Sequence, residues 1–155
     1  MIKKTIFNSN EFVDFLNKIK IPFSKNKKIT NPPWKYKNLS NFFFKSFILN
    51  KKIKGMIVYS KHRDNFHINF LYVLSNKRNK RVGTKLINHC LSHKEKKIYT
   101  VHVNKKFKQA IKFYKKFKFK EYKKSENEKV NNFVKKSQNF NPNVYKTKKL
   151  LVKNL

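Results

Sequence analysis

The alternation of apolar and polar positions divides the chain into helices and strands. Phe12, Phe15, Leu16 and Ile19 recur at helical spacing on one face of a segment that Asn10 can cap and whose first turns carry Glu11 and Asp14. This helix is expected to end near Ile21-Pro22. Residues 24–40, rich in Lys, Asn and Pro, read as a loop with one short turn around Pro32, Pro33 and Trp34. Three runs of strand-forming residues follow: Phe42 to Leu49, Lys54 to Ser60 and Phe66 to Leu74. With Asn50-Lys51-Lys52 and Arg63-Asp64-Asn65 as turns, they predict an antiparallel meander.

The helical period returns over Val82 to Ser92, with Val82, Leu86, Ile87, Cys90 and Leu91 on the inner face. KKIYTVHV, residues 96–103, reads as the next strand, and the intervening helix makes it a parallel neighbour of the third strand through a right-handed crossover. A second helix is predicted over Lys106 to Phe117, its inward stripe formed by Phe107, Ala110, Ile111, Tyr114 and Phe117. Phe119 to Lys123 reads as a strand, Ser125 to Gln138 as a long polar loop, and Asn143 to Leu151 as a last strand. The order α, βββ, α, β, α, β, β predicts an α/β fold on a mixed sheet of about six to seven strands flanked by helices, antiparallel in its N-terminal meander and parallel at its centre. A length of 155 residues fits one domain, residues 1–155, and 39% apolar residues with 16 Phe suffice for a core.

Charge changes the picture less than its size suggests. Lys and Arg number 40 against 7 acids, a net charge of +33 that points to a polyanionic partner or a membrane surface. Yet 37 of the 40 are lysine, Asn numbers 21 and Gly only 2, the profile that an A/T-rich coding sequence imposes on any protein. A surface dedicated to nucleic acid more often uses Arg, whose planar fork grips phosphate and guanine with two hydrogen bonds. Cys90 is the one cysteine, which excludes a disulfide scaffold and fits a reducing compartment. No apolar run reaches the roughly 18–20 residues that cross a bilayer, and MIKKTIFNSNEFVDF lacks the pattern of a secretory signal. A soluble cytoplasmic protein, monomer or homodimer, with no membrane partner is expected.

RNKRVGTKL, residues 78–86, raises the question of chemistry, since a basic loop with one glycine runs there into a helix. A helix N-terminus presents unpaired N–H groups and the positive end of the macrodipole, which together attract an anion. Gly83 lets the backbone approach an oxygen, Thr84 adds a hydroxyl, and Arg78, Lys80 and Arg81 add charge. Alone, a single glycine in a basic loop is a weak signal and reads more readily as a solvated turn.

Context supplies a resemblance. INFLYVLSNKRNKRVGTKLI is similar to the acetyl-CoA-binding motif of the GCN5-related N-acetyltransferases (GNAT), in which a strand leads to a loop of form Arg/Gln-x-x-Gly-x-Gly/Ala and then a helix; Arg78 and Gly83 match. AIKFYKKFKF, residues 110–119, resembles the family's second signature, Ala-x-x-Phe/Leu-Tyr-x-x-x-Gly-Phe, with Ala110, Phe113, Tyr114 and Phe119 in register. The similarity extends from about residue 40 to the C-terminus. Arg81 and Lys118 stand where the family has glycine, and a non-glycine residue held at positive φ costs on the order of 1 kcal/mol.

The resemblance implies an acetyl-CoA-dependent N-acetyltransferase that moves acetyl directly to an amine on a small molecule or peptide. It implies a parallel strand pair splayed at the cofactor, with pantetheine pairing to backbone groups of Leu71, Tyr72 and Val73. The pyrophosphate would lie on Arg78, Asn79, Lys80, Arg81, Val82, Gly83 and Thr84. Asn104 and Phe113 would contact the pantetheine arm, although the gap from Asn104 to Ala110 is about three residues longer than usual. Tyr114 would protonate the departing thiolate; a phenol of pKa about 10 is a fair acid towards a thiolate whose conjugate acid has pKa near 8.5–10. Without the resemblance, a Tyr on an apolar helical stripe is ordinarily a core residue.

For the base that receives the amine proton the chain offers His67 and Asn69 on the third strand, Asp64 before it and His102 on the next. His67 is the preferred candidate, with solvent as the alternative route. Of the five histidines only His89 and His93 share helical spacing, without the third ligand a catalytic zinc site needs, so no metal is expected. The competing class is a non-enzymatic nucleic-acid-binding protein on a GNAT-like scaffold, making contact through its basic surface.

Overall fold

The computed structural model describes residues 1–6, 9–19, 40–78, 80–95 and 98–155. Asn79 and the segment with Pro32, Pro33 and Trp34 lie outside the described residues. The elements are β1 (Ile2–Lys4), α1 (Asn10–Lys18), β2 (Phe42–Leu49), β3 (Lys52–Lys61), β4 (Phe66–Val73), α2 (Val82–Leu91), β5 (Ile98–Asn104), α3 (Lys108–Lys116), β6 (Lys120–Glu121), α4 (Asn131–Phe140), α5 (Val144–Thr147) and β7 (Lys148–Asn154). The strands form a mixed seven-stranded sheet in the order β1-β2-β3-β4-β5-β7-β6, antiparallel except for the parallel β4–β5 pair. That ladder joins Phe66, His67 and Ile68 to Tyr99, Thr100 and Val101.

The chain divides into two compact units, one of residues 1–60 with 69–93, the other of residues 61–68 with 94–155. In the first, β2 and β3 meet at a two-residue turn whose residues Asn50 and Lys51 both have positive φ, the conformation that matches the twist of a tight hairpin. Phe12, Phe15 and Leu16 of α1 pack on Phe44, Ile53, Met56 and Val58, with Phe12 edge-on to Phe44 at 5.9 Å. Helix α2 is seated on Gly55, where a Cβ would meet Val82 Cγ1 at 2.9 Å and Leu86 Cδ1 at 3.1 Å. This glycine therefore sets how closely the helix approaches its strand. In the second unit Val130 and Val134 cover Leu150 and Val152 of β7, which pairs with β5 from Ile98↔Asn154 to Asn104↔Lys148.

Four sequence expectations need correction. The cap of α1 is Ser9, whose hydroxyl accepts from the Phe12 N–H at 3.3 Å, one residue before Asn10. The polar segment Ser125 to Gln138, expected as a loop, contains a 3₁₀ turn at Glu128–Val130 and most of α4, held by the packing of Val130 and Val134. The last strand begins at Lys148, not Asn143, because α5 intervenes. Phe107 does not join the inward stripe of α3. Asn104 Oδ1 accepts from the Lys106 N–H at 2.9 Å, the helix starts only at Lys108, and Phe107 is 63% exposed.

Candidate functional site

In the first unit, Leu74 donates its N–H to Lys54 O of β3 at 2.9 Å. Because backbone groups alternate along a strand, those of Val73 and Leu71 turn to the other edge. Tyr72 turns back to β3, its carbonyl lying 3.1 Å from the Cβ that Gly55 lacks. Asn69, on the same strand, has its Oδ1 buried with no hydrogen-bond partner, an acceptor open to an N–H donor.

After β4 one 3₁₀ turn, Ser75–Lys77, leads to Arg78. The Arg78 Nε–H donates to Val73 O at 3.3 Å and its Nη2–H to the Tyr72 hydroxyl at 3.1 Å, and the guanidinium carbon lies 5.3 Å from the centre of the Tyr72 ring. Tyr72 itself stacks on Phe70 at 6.3 Å and meets Phe15 edge-on at 6.5 Å. Arg81 precedes α2 at φ 58°, ψ 13°. The left-handed residue of the loop is thus Arg81, where the resemblance puts glycine, while Gly83 has no positive φ. Arg81 makes no side-chain cap and the first turn of α2 carries no acid, so neither the cap residue nor the helix's own first turn neutralises its positive end. Val82 is buried and fixes the helix, while Gly83 and Thr84 are half-exposed.

In the second unit Tyr114 is the one buried residue of α3, 6% exposed and edge-on to Phe113 and Phe119 at 5.4 Å. Its carbonyl accepts from Phe119 N at 3.3 Å while Lys118, at φ 64°, donates its N–H to Lys115 O at 2.9 Å. Asn104 and Phe113 are half-buried, and the Asn104 side-chain oxygen is committed to the turn before α3.

His67 lies beneath α4, 7% exposed, its Nδ1 sharing a 2.9 Å hydrogen bond with Thr100 Oγ1, to which Asn65 Nδ2 donates at 2.7 Å. The His102 ring is 4.8 Å away and Phe133 of α4 covers both. His102 Nε2 shares a 3.1 Å hydrogen bond with the Tyr145 hydroxyl. Burial above all, then His102, His62 and Lys148, holds His67 well below the usual imidazole range. Burial and then Lys148 push His102 down to about 4, and burial pushes the Tyr145 phenol up to about 12. Both imidazoles are neutral at pH 7, and the burial that keeps them so disfavours their protonated form. Burial drives the Cys90 thiol far above its ordinary value, which removes it as a nucleophile.

The structure therefore brings Arg78, Tyr72 and Val73 together and sets Arg81, Val82, Gly83 and Thr84 at one helix start. It gathers His67, His102, Thr100 and Tyr145 in the other unit. Among the described residues no group of three or more His, Cys, Asp or Glu could hold a metal, and no helix is long and apolar enough to cross a membrane. Gly55 and Tyr72, as a side chain, were missed in the sequence. Gly55 was visible as one of only two glycines, set inside a strand pattern.

A family profile described as an acetyltransferase (GNAT) domain matches residues 42–121. No curated protein matches the chain in sequence. Among solved structures, a Klebsiella pneumoniae protein assigned as an acyl-CoA N-acyltransferase is 11% identical with a TM-score of 0.65, covering 100% of this chain and 97% of that one. A GNAT family acetyltransferase from Elizabethkingia anophelis with acetyl-CoA bound is 13% identical with a TM-score of 0.60 over the same shares, 100% and 97%. Ard1 from Thermoplasma volcanium is 27% identical with a TM-score of 0.49, over 52% of this chain and 57% of that one, so the chain spans little more than half its length.

Proposed function

The chain belongs to the GNAT family of acetyltransferases, and on that premise we propose that residues 1–155 act as one domain that transfers acetyl directly from acetyl-CoA to an amine. The observation that carries the reading is the start of α2: a helix N-terminus with no acid in its first turn and no side-chain cap, flanked by Arg78, Lys80 and Arg81. The backbone N–H groups of Val82, Gly83 and Thr84 and the Arg78 guanidinium suit a pyrophosphate, with Asn79 adjoining. The E. anophelis relative with acetyl-CoA bound supports the choice of donor.

Each residue then has a task. The backbone groups of Leu71 and the N–H of Val73, turned away from β3, pair with the pantetheine arm as an added strand, and Asn104 and Phe113 are the further candidate cofactor contacts. One N–H of that edge polarises the thioester carbonyl as its oxygen gains charge. The neutral amine attacks the carbonyl carbon, the C–N bond forms, the C–S bond breaks, and the Tyr114 hydroxyl gives its proton to the leaving thiolate. The proton lost by the amine leaves through solvent or to His67, which is neutral at pH 7. Cys90, buried with its thiol pKa raised, favours direct transfer over an acyl-cysteine route. A net charge of +33 disfavours polycationic acceptors at encounter and favours small amines or acidic peptides.

The test is a thermal melt. Acetyl-CoA at 100 times its Kd adds about 2.7 kcal/mol, a rise in Tm of roughly 5–11 °C for a chain this long, and Arg78→Ala removes most of it. The same net charge favours a second reading, a nucleic-acid-binding protein without chemistry. Steeply salt-dependent RNA binding with no shift from acetyl-CoA would select it.

A further inference from the structure

We propose that Tyr72 is a positioning residue for the donor's pyrophosphate. Its ring and hydroxyl hold the Arg78 guanidinium at the end of β4 with its remaining N–H groups directed at the anion. The inference rests on the acetyl-CoA reading above and adds to it a side chain that the loop motif does not contain.

Arg78 stands on an exposed loop, where a free arginine side chain samples many rotamers and gives up that freedom when it fixes a phosphate. Here that freedom is already restricted by three contacts: Nε–H to Val73 O at 3.3 Å, Nη2–H to the Tyr72 hydroxyl at 3.1 Å, and the ring face at 5.3 Å. A guanidinium has five N–H donors, so two are committed and three remain, one on Nη2 and two on Nη1. Three donors in a plane suit a pyrophosphate oxygen pair. A lysine has no such fork and could not be held by one side while binding with the other.

The anchor is itself fixed. Tyr72 stacks on Phe70 and meets Phe15 of α1 edge-on, and the Val73 carbonyl faces the open edge because Leu74 is bonded to Lys54. The composition points the same way. In a chain with 37 lysines and three arginines, two of the arginines, Arg78 and Arg81, fall in this loop.

The experiment is calorimetric titration of coenzyme A into the wild type, Tyr72→Phe, Tyr72→Ala, Arg78→Ala and the Tyr72→Ala/Arg78→Ala pair, each checked for an unliganded melt. Tyr72→Phe keeps the ring and loses the hydroxyl, and is expected to raise Kd about threefold. Tyr72→Ala is expected to raise it about tenfold. In the Arg78→Ala background Tyr72→Ala is expected to change nothing further, because its effect passes through the guanidinium. Equal losses with and without Arg78, or no loss in Tyr72→Phe and Tyr72→Ala, would overturn the positioning role. Tighter binding in the Tyr72 variants would overturn it too, marking the contact as one that coenzyme A must break. If Tyr72→Ala does not fold, Tyr72→Phe with and without Arg78 carries the same comparison. Failure of the wild type to bind coenzyme A would instead remove the donor reading on which the inference rests.

Discussion

Arg81 and Lys118 adopt the same left-handed backbone, φ 58° and 64°, at opposite ends of two different helices. At Lys118 the strain is answered locally. The Phe119 N–H bonds to Tyr114 O and the Lys118 N–H to Lys115 O, the paired closure of a helix C-terminus, and the Tyr114 and Phe119 rings meet at 5.4 Å across it. Lys115, Lys116 and Lys118 lie at the negative end of the helix dipole, where cations are favoured. At Arg81 nothing comparable is present. The Arg81 side chain makes no cap hydrogen bond, and Arg78, Lys80 and Arg81 stand at the helix's positive end. One departure from glycine is resolved inside the chain, and the other, on the reading proposed above, leaves a helix end open to an anion. The difference separates a structural use of the left-handed residue from a binding one.

The largest expected effect lies on the resolved side. Tyr114→Phe keeps both backbone bonds and the aromatic contact, so it should lower turnover by about 10²–10⁴-fold while Kd for coenzyme A stays within about twofold. A loss of stability with turnover intact would make Tyr114 part of the helix closure and nothing more.

Acid should also act chiefly on the second unit. His102 is pushed down to about 4 and His62 and His67 are lowered as well, against the lowered His89 on α2, so the folded protein binds fewer protons than the unfolded chain between the unfolded value near 6.5 and those lowered values. Stability is complete above about pH 6.5 and falls as pH drops towards 4, by about 3 kcal/mol from His102 alone. Amide exchange measured at pH 7 and pH 4.5 should show α4, whose Phe133 covers these imidazoles, losing protection before α2. Loss of α2 first would contradict the contrast.

The smallest effect sharpens it most directly. Arg81→Gly relieves the left-handed strain and removes a cation from the positive helix end, for a gain of about 1 kcal/mol in an unliganded melt. Lys118→Gly relieves the same strain but gives up a favourable terminal cation, so its gain is a few tenths of a kcal/mol, about nil in practice. Equal gains would mean that the two ends do not differ in the way their charges imply.

Helices α2 and α3 and the strand β5 between them were legible because the helices' apolar residues keep one period, because β5 is rich in β-branched and aromatic residues, and because the loop and the tyrosine motif resemble a known family. α4 was not. NNFVKKSQNF contains poor helix formers, has no side-chain cap and buries only Val134, so its shape comes from packing on Leu150 and Val152, far along the chain. β1 is three residues long and exists through its pairing with Lys45, Ser46 and Phe47, so it left no pattern. In the candidate site, Arg78 and the helix start could be read from the motif. The partnership of Arg78 with Tyr72 could not, since a strand residue's reach past its own end depends on how the loop turns back. The three histidines lay on two strands and a turn, and their common cover by Phe133 could be known only once α4 existed.

The place of β7 carries a consequence for how the protein comes into being. It follows β5 and β6 in sequence yet lies between them, pairing with Tyr99 to Val103 on one side and with Lys120 and Glu121 on the other. Until residues 148–154 leave the ribosome, β6 has no neighbour and Val130 and Val134 have no surface to cover. The β2–β3 hairpin closes through a two-residue turn and needs nothing downstream. A nascent chain thus acquires the half with Arg78 and the start of α2 first and the half with Tyr114 and the histidines last, through contacts of long sequence separation that form slowly.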